Sequence, residues 1–284
     1  MEKNVTYLPQ FKGYGIADSD WKKMKDLLTL APEDYARFGC SEPDDDAPII
    51  GILMGREPKH YCINEDYVKA LAMAGAGIVF LDYKNYSLQL AMCDGVLLPG
   101  GSFKTPEWYY TDAKFDDSDG YPNKRAKAYA ECFAFALETG KPVLGICAGM
   151  QVIAAEMGFK LYRSADYIES PWKHKTTAPI AHQVELVDGT PFKKMMGDSW
   201  RLKVNSRHSE MLAPVKVQHE LLGFAPDTAL PLEVYAVAID GVPEAIGAMS
   251  NGILGVQWHP ENMAAAGDET QLRIFQWLVS NSKK

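Results

Sequence analysis

Residues 143–151 read Val143-Leu144-Gly145-Ile146-Cys147-Ala148-Gly149-Met150-Gln151. A short apolar run enters G-x-C-x-G and leaves into helix-forming residues, the sequence form of a nucleophile elbow carrying cysteine. Such a turn holds the nucleophile in a strained backbone conformation. It needs glycine on both sides, because a side chain there would strike the neighbouring strand or helix. The thiol then lies at a helix N-terminus, where partial positive charge favours the thiolate, the reactive form. The N–H of Ala148 would face a developing oxyanion. A buried structural cysteine at a strand end is the ordinary alternative, but it does not require the strand–turn–helix context. Cys40, Cys62, Cys93 and Cys132 show no comparable context.

A thiolate nucleophile works with a histidine that is itself oriented by a carboxylate or amide. Val256-Gln257-Trp258-His259-Pro260-Glu261 offers both. A strand ends at His259, and Glu261 follows across a proline-stiffened step, placed to fix the imidazole tautomer. Val96-Leu97-Leu98-Pro99-Gly100-Gly101-Ser102 ends another strand. Gly100 and Gly101 would let backbone N–H groups approach a substrate carbonyl, or they form only a turn. No G-K-[ST] follows, so this is not a P-loop.

Around these motifs, apolar runs alternate with helical spacing. Strands are expected at Ile49–Met54, Gly77–Leu81, Gly95–Leu98 and Pro142–Ile146. Helices are expected at Asn64–Ala74, Ser87–Met92 and Asn123–Glu138, the last closed by Gly140. This alternation predicts an α/β, doubly wound, mostly parallel sheet with flanking helices, whose sites lie at the carboxyl ends of the strands. The second half is richer in strands, expected at Gln183–Val187, Arg201–Val204, Val234–Ile239, Ala245–Met249 and Ile253–Gln257, before a closing helix at Gln271–Ser280. One domain with a small antiparallel extension fits this pattern.

Residues 1–47 differ in character, with ten acidic and six basic residues, and read as an N-terminal extension to a domain over 48–284. Trp21–Leu30 has the spacing of a short amphipathic helix, and Glu42–Asp46 that of a solvated linker.

The chain has 284 residues, 47% of them apolar, with a net charge of −8. That balance excludes disordered and collagen-like classes and lacks the footprint of a nucleic-acid or anionic-membrane binder. There is no C-x-x-C, no H-x-x-x-H and no apolar run of about 18 residues. Neither a metal nor a cofactor is expected. No secretory leader is evident, so the reading is a cytoplasmic protein with reduced thiols, a homodimer being the default assembly.

The three motifs together resemble the class I glutamine amidotransferase-like fold, which is flavodoxin-like. Within it, the chain is most similar to the γ-glutamyl-γ-aminobutyrate hydrolase family, peptidase family C26. His182–Thr190, Val204-Asn205-Ser206-Arg207-His208-Ser209 and Glu244-Ala245-Ile246 add to that likeness. There are departures. Ala148 stands where this family often has arginine, Ser209 where a second histidine is usual, and Gly247 where a second glutamate is usual. The resemblance implies a Cys147–His259–Glu261 triad cleaving a small-molecule γ-glutamyl amide through a thioester, with Gly101 and Ala148 as oxyanion donors. It further implies that Gly100, Gln151, Ser206, His208 and Ser209 hold the glutamyl group, and it leaves the amine side open between γ-aminobutyrate, another acid of polyamine catabolism and an amino acid. A glutaminase subunit serving a separate synthase shares the triad. A non-catalytic relative would lack it. Trp108, Tyr109 and Tyr110 would cover the site or anchor a loop.

Overall fold

A computed structural model describes residues 29–56, 61–102, 104–112, 120–163, 174–217 and 231–282. The chain begins there with α1 (Pro32–Arg37), β1 (Ile49–Leu53) and a hairpin of β2 (Gly55–Arg56) and β3 (Tyr61–Cys62). The first α/β units follow as α2 (Glu65–Met73), β4 (Gly77–Leu81), α3 (Tyr86–Leu90), β5 (Gly95–Leu98), α4 (Lys124–Thr139), β6 (Val143–Ile146) and α5 (Ala148–Glu156). Next come β7 (Leu161–Tyr162), β8 (His182–Leu186), α6 (Pro191–Met195), β9 (Arg201–Val204), β10 (Met211–Leu212), β11 (Glu233–Ala238), β12 (Pro243–Ala248) and β13 (Ile253–Val256). The described chain closes with α7 (Pro260–Ala265) and α8 (Glu269–Asn281).

Local chemistry explains the helix ends. Asn64 and Asn123 accept N–H groups from Asp66 and Ala126, and Gly140 ends α4 in the left-handed conformation. Asp268 caps α8 by accepting from Thr270 and Gln271. The main sheet of the described residues has the order β4-β1-β5-β6-β13-β12-β11-β8-β9. β4, β1, β5, β6 and β13 pair in parallel. β13, β12, β11, β8 and β9 pair antiparallel. Along β5 the faces alternate. Leu97 packs with α2 and α8, while Val96 and Leu98 pack with α4 and α5. Both faces of the parallel half are therefore covered, as its unbroken apolar strands require. The architecture is the doubly wound α/β sheet, with the antiparallel extension on one side.

The segment before β1 is tied to the sheet edge. Thr29 bridges Val79, Leu30 N–H donates to Ile78 O, and the buried Tyr35 donates to Ala76 O. The helix expected at Trp21–Leu30 lies outside the described residues except for Thr29 and Leu30. Those two are extended, held by pairing to β4 rather than by helical bonds. Among the described residues, no helix is long and apolar enough to cross a membrane.

Candidate active site

Three neighbouring parallel strands, β5, β6 and β13, end at one place. Gly100 and Gly101 follow β5, Cys147 follows β6 and His259 follows β13. Cys147 has φ 52° and ψ −107°. It is held there by its N–H donating to Val256 O at 2.8 Å and by the close approach of strand and helix. A Cβ on Gly145 would lie 2.6 Å from the backbone of Gly149, and a Cβ on Gly149 would lie 2.0 Å from Leu98 O. The G-x-C-x-G spacing is thus a packing requirement. At Gly100, a Cβ would lie 2.7 Å from His259 Cε1 and 3.2 Å from Cys147 Cβ. Only glycine lets that loop pass between the two side chains.

Glu261, 1% exposed, accepts from His259 Nδ1 at 2.6 Å. That bond leaves Nε2 for the thiol of Cys147, which lines the same cavity. Burial opposes charge on His259, but the Glu261 carboxylate and Cys147 outweigh it and raise its pKa to about 10. The chain therefore binds a proton at His259 more tightly when folded than when unfolded. That contribution to stability is complete below pH ~6.5 and is lost as pH rises through about 10. Urea unfolding across this window should show a stability decline that is shallower in His259→Gln. Equal slopes in the two proteins would contradict the pairing.

Two further residues position the imidazole. Asn205 clamps the His259 backbone, its Nδ2 donating to His259 O and its Oδ1 accepting His259 N–H, each at 2.8 Å. Tyr67 OH lies 3.4 Å from His259 Nδ1 and accepts the Gly100 N–H at 2.9 Å. Burial first, and the Glu261 charge second, push the Tyr67 phenol well above its usual range and keep it neutral. Sequence reasoning missed Tyr67 because it sits on the apolar stripe of α2 and reads as core. It missed Asn205 as a clamp because its partner lies 54 residues away.

The cavity above Cys147 has a volume of about 370 Å³. Gly101 and Ala148 line it on either side of the sulfur, and Ala148, at the first turn of α5, has an N–H free of helical bonding. Gln151, His208 and Ser209 also line it. The Gln151 amide donates to Glu210 O at 2.7 Å and to Gln257 Oε1 at 3.1 Å. Ser206 is a correction. It is fully buried, its hydroxyl donates to His174 O, and it does not line the cavity. Arg207, in the same Val204–Ser209 motif, also lines it, as do Glu210 and Thr105, which the sequence reading passed over. Glu210 accepts from Tyr110 OH at 2.6 Å and from Thr105 Oγ1 at 2.9 Å. Trp108 packs edge-on to Tyr109 and Tyr121, Tyr109 OH donates to Glu156 of α5 and Lys160 Nζ donates to Trp108 O, so the aromatic loop is anchored to the fold, while Tyr110 OH donates to Glu210 of the cavity lining.

This fold and this junction define a class I glutamine amidotransferase-like protein. Residues 48–261 match the Peptidase C26 family, and the chain belongs to it. It is 27% identical over 243 residues to a Schizosaccharomyces pombe protein named after the glutamine amidotransferases, covering 84% of this chain and 88% of that one. It is 26% identical over 221 residues to the pyridoxal 5'-phosphate synthase subunit PdxT of Renibacterium salmoninarum, covering 76% and 84%. Among solved structures, it is similar to the Trypanosoma brucei CTPS glutaminase domain with bound acivicin. That match has a TM-score of 0.56 at 16% identity and covers 82% of this chain and 94% of that one.

Proposed function

We propose that the protein hydrolyses the amide bond of a small γ-glutamyl amine, releasing glutamate. The observation that carries this reading is one cavity lined by Cys147 and His259, with Glu261 buried behind the imidazole and bonded to it, and with the oppositely charged Arg207 and Glu210 in the same lining. The Cys147 sulfur attacks the γ-carbonyl carbon while His259 already holds the proton of the pair. Oxygen charge develops between the N–H groups of Gly101 and Ala148. The C–N bond breaks as His259 gives its proton to the leaving amine, forming a γ-glutamyl thioester. Water, deprotonated by His259, then releases glutamate and restores the thiol. Arg207 suits the α-carboxylate. Glu210 suits the α-ammonium, with Gln151, His208 and Ser209 closing around the glutamyl head. The amine leaves toward the open mouth, which fits γ-aminobutyrate or a similar acid.

The likeness to PdxT, a synthase subunit, favours a second reading, a glutaminase that works only with a partner. Glutamate release by the purified chain decides between them. With γ-glutamyl-γ-aminobutyrate, other γ-glutamyl amides and glutamine as substrates, the free-standing hydrolase cleaves an amide other than glutamine without a partner. A folded protein that alkylates at Cys147 yet releases nothing would overturn this reading in favour of the second.

A further inference from the structure

Three of the six histidines, His174, His182 and His208, meet on the antiparallel half of the sheet, around Glu244 of β12. They come from a loop, from β8 and from the turn after β9, so no local spacing announces them. Glu244 is 0% exposed, and all three imidazoles are buried. His174 Nδ1 lies 3.2 Å from His208 Nε2 and 3.2 Å from Glu244 Oε1. His208 Nε2 lies 3.5 Å from the same oxygen.

The outer sides of these rings are already used. His174 Nε2 faces Asp240 Oδ2 at 2.8 Å, and His208 Nδ1 faces Glu210 O at 2.9 Å. A carboxylate and a carbonyl accept, so both outer nitrogens carry the proton. In neutral rings the inner nitrogens would then be bare beside the carboxylate oxygen. Burial opposes a proton on His174, but Asp240 and Glu244 outweigh it and raise its pKa to about 9, so the positive charge between these atoms is either that proton or a metal ion. Neither oxygen of Glu244 has an aligned hydrogen bond. Something positive belongs between the three atoms.

We infer that His174 Nδ1, His208 Nε2 and Glu244 Oε1 bind a divalent transition metal of the zinc type. Zinc bonds of about 2.0–2.2 Å in a tetrahedron set neighbouring ligand atoms roughly 3.3–3.5 Å apart. The distances here match that spacing. Two imidazoles and a carboxylate suit zinc, and each imidazole already has the outer acceptor that a ligating histidine uses to fix its tautomer. His182 Nε2 lies 3.3 Å from Glu244 Oε1 but outside the group of three atoms that lie mutually within 4.8 Å, so the fourth position is left to water.

The ion would be a staple for the candidate active site. The His174 segment pairs with the 206–208 segment, through Thr176 N–H to Ser206 O and His208 N–H to His174 O. That second segment begins at Asn205, which clamps His259, and ends at Glu210, on the cavity rim. The inference stands on the cluster alone and does not depend on the proposed reaction.

The test is metal binding by the full chain carrying Cys147→Ser, so that the elbow thiol is not a ligand. The protein is stripped with chelator and dialysed against Zn²⁺ and, separately, Co²⁺. One equivalent of metal per chain is expected. The cobalt form should show the visible absorption of a tetrahedral site without the thiolate charge-transfer band. Asp240→Asn should weaken binding about 10- to 100-fold, and His174→Gln with His208→Gln should abolish it. If the double variant does not fold, the cobalt spectrum and Asp240→Asn decide. No stoichiometric metal, a thiolate band, or binding indifferent to Asp240→Asn would each overturn the inference and leave the cluster as a protonated ion-pair network.

Discussion

Cys147→Ala should lower glutamate release by about 10⁴-fold or more, with the fold retained. The loss is large because no other group near the cavity floor can form the thioester. Cys40, Cys62, Cys93 and Cys132 are absent from its lining, and His259 without the sulfur has only water to activate. A companion variant tests the backbone. Glycine is ordinarily less stabilising than alanine within regular structure. At position 147 the order should invert, because φ 52° and ψ −107° strain any residue with a Cβ. Cys147→Gly should therefore be more stable than Cys147→Ala by about 1–2 kcal/mol, and its thermal midpoint higher by a few degrees. The comparison uses two dead proteins that differ by one methyl group, so the lost sulfur contacts cancel. Residual turnover well above background in Cys147→Ala would move the nucleophile elsewhere. A less stable Cys147→Gly would remove the argument from strain.

What could be read from the sequence was local. The elbow lies within nine residues, so its spacing shows in the sequence even though the atoms that demand it include Leu98 and Val256 of neighbouring strands. The same holds for His259 and Glu261, two residues apart, and for the helix caps Asn64, Asn123 and Gly140. The strands of the parallel half showed as unbroken apolar runs because both faces are buried. The residues that went unseen act across long separations. Tyr67 belongs by periodicity to the core of α2, yet its hydroxyl holds the Gly100 N–H. Asn205 and Ser206 sit side by side in one motif. Strand geometry sends the first to the His259 backbone and the second to His174 O, away from the cavity. The histidine cluster was illegible for the same reason, since its members span residues 174 to 244 and meet only when β8, β9 and β12 are assembled. The pattern of a metal site in sequence assumes ligands on one helix or one loop, and here there are none.

Gly149→Ala should be the most damaging single methyl addition near the site. In an exposed helix, the same change stabilises by about 1 kcal/mol. Here the new carbon would lie 2.0 Å from Leu98 O, 2.8 Å from Leu98 C and 2.9 Å from Leu98 Cβ. The first two are backbone atoms in the middle of the sheet and cannot rotate aside. Either α5 lifts from β5 or the end of β5 shifts. The first course withdraws the Ala148 N–H from the cavity, and the second displaces Gly100 and Gly101, two and three residues beyond Leu98. Stability should fall by about 3 kcal/mol or more, the upper end of overpacking costs. Any folded fraction should lose glutamate release as well, because both courses disturb a proposed oxyanion donor. Gly77→Ala is the control. A Cβ there meets only Ile49 and Pro48 atoms at 3.5 Å and beyond, so its stability should change by less than about 1 kcal/mol. Thermal unfolding and glutamate release of the two variants, measured side by side, check the contrast. If Gly149→Ala is as stable as Gly77→Ala, the close contact between α5 and β5 does not exist in the folded protein. The flanking glycines of the elbow would then need another explanation.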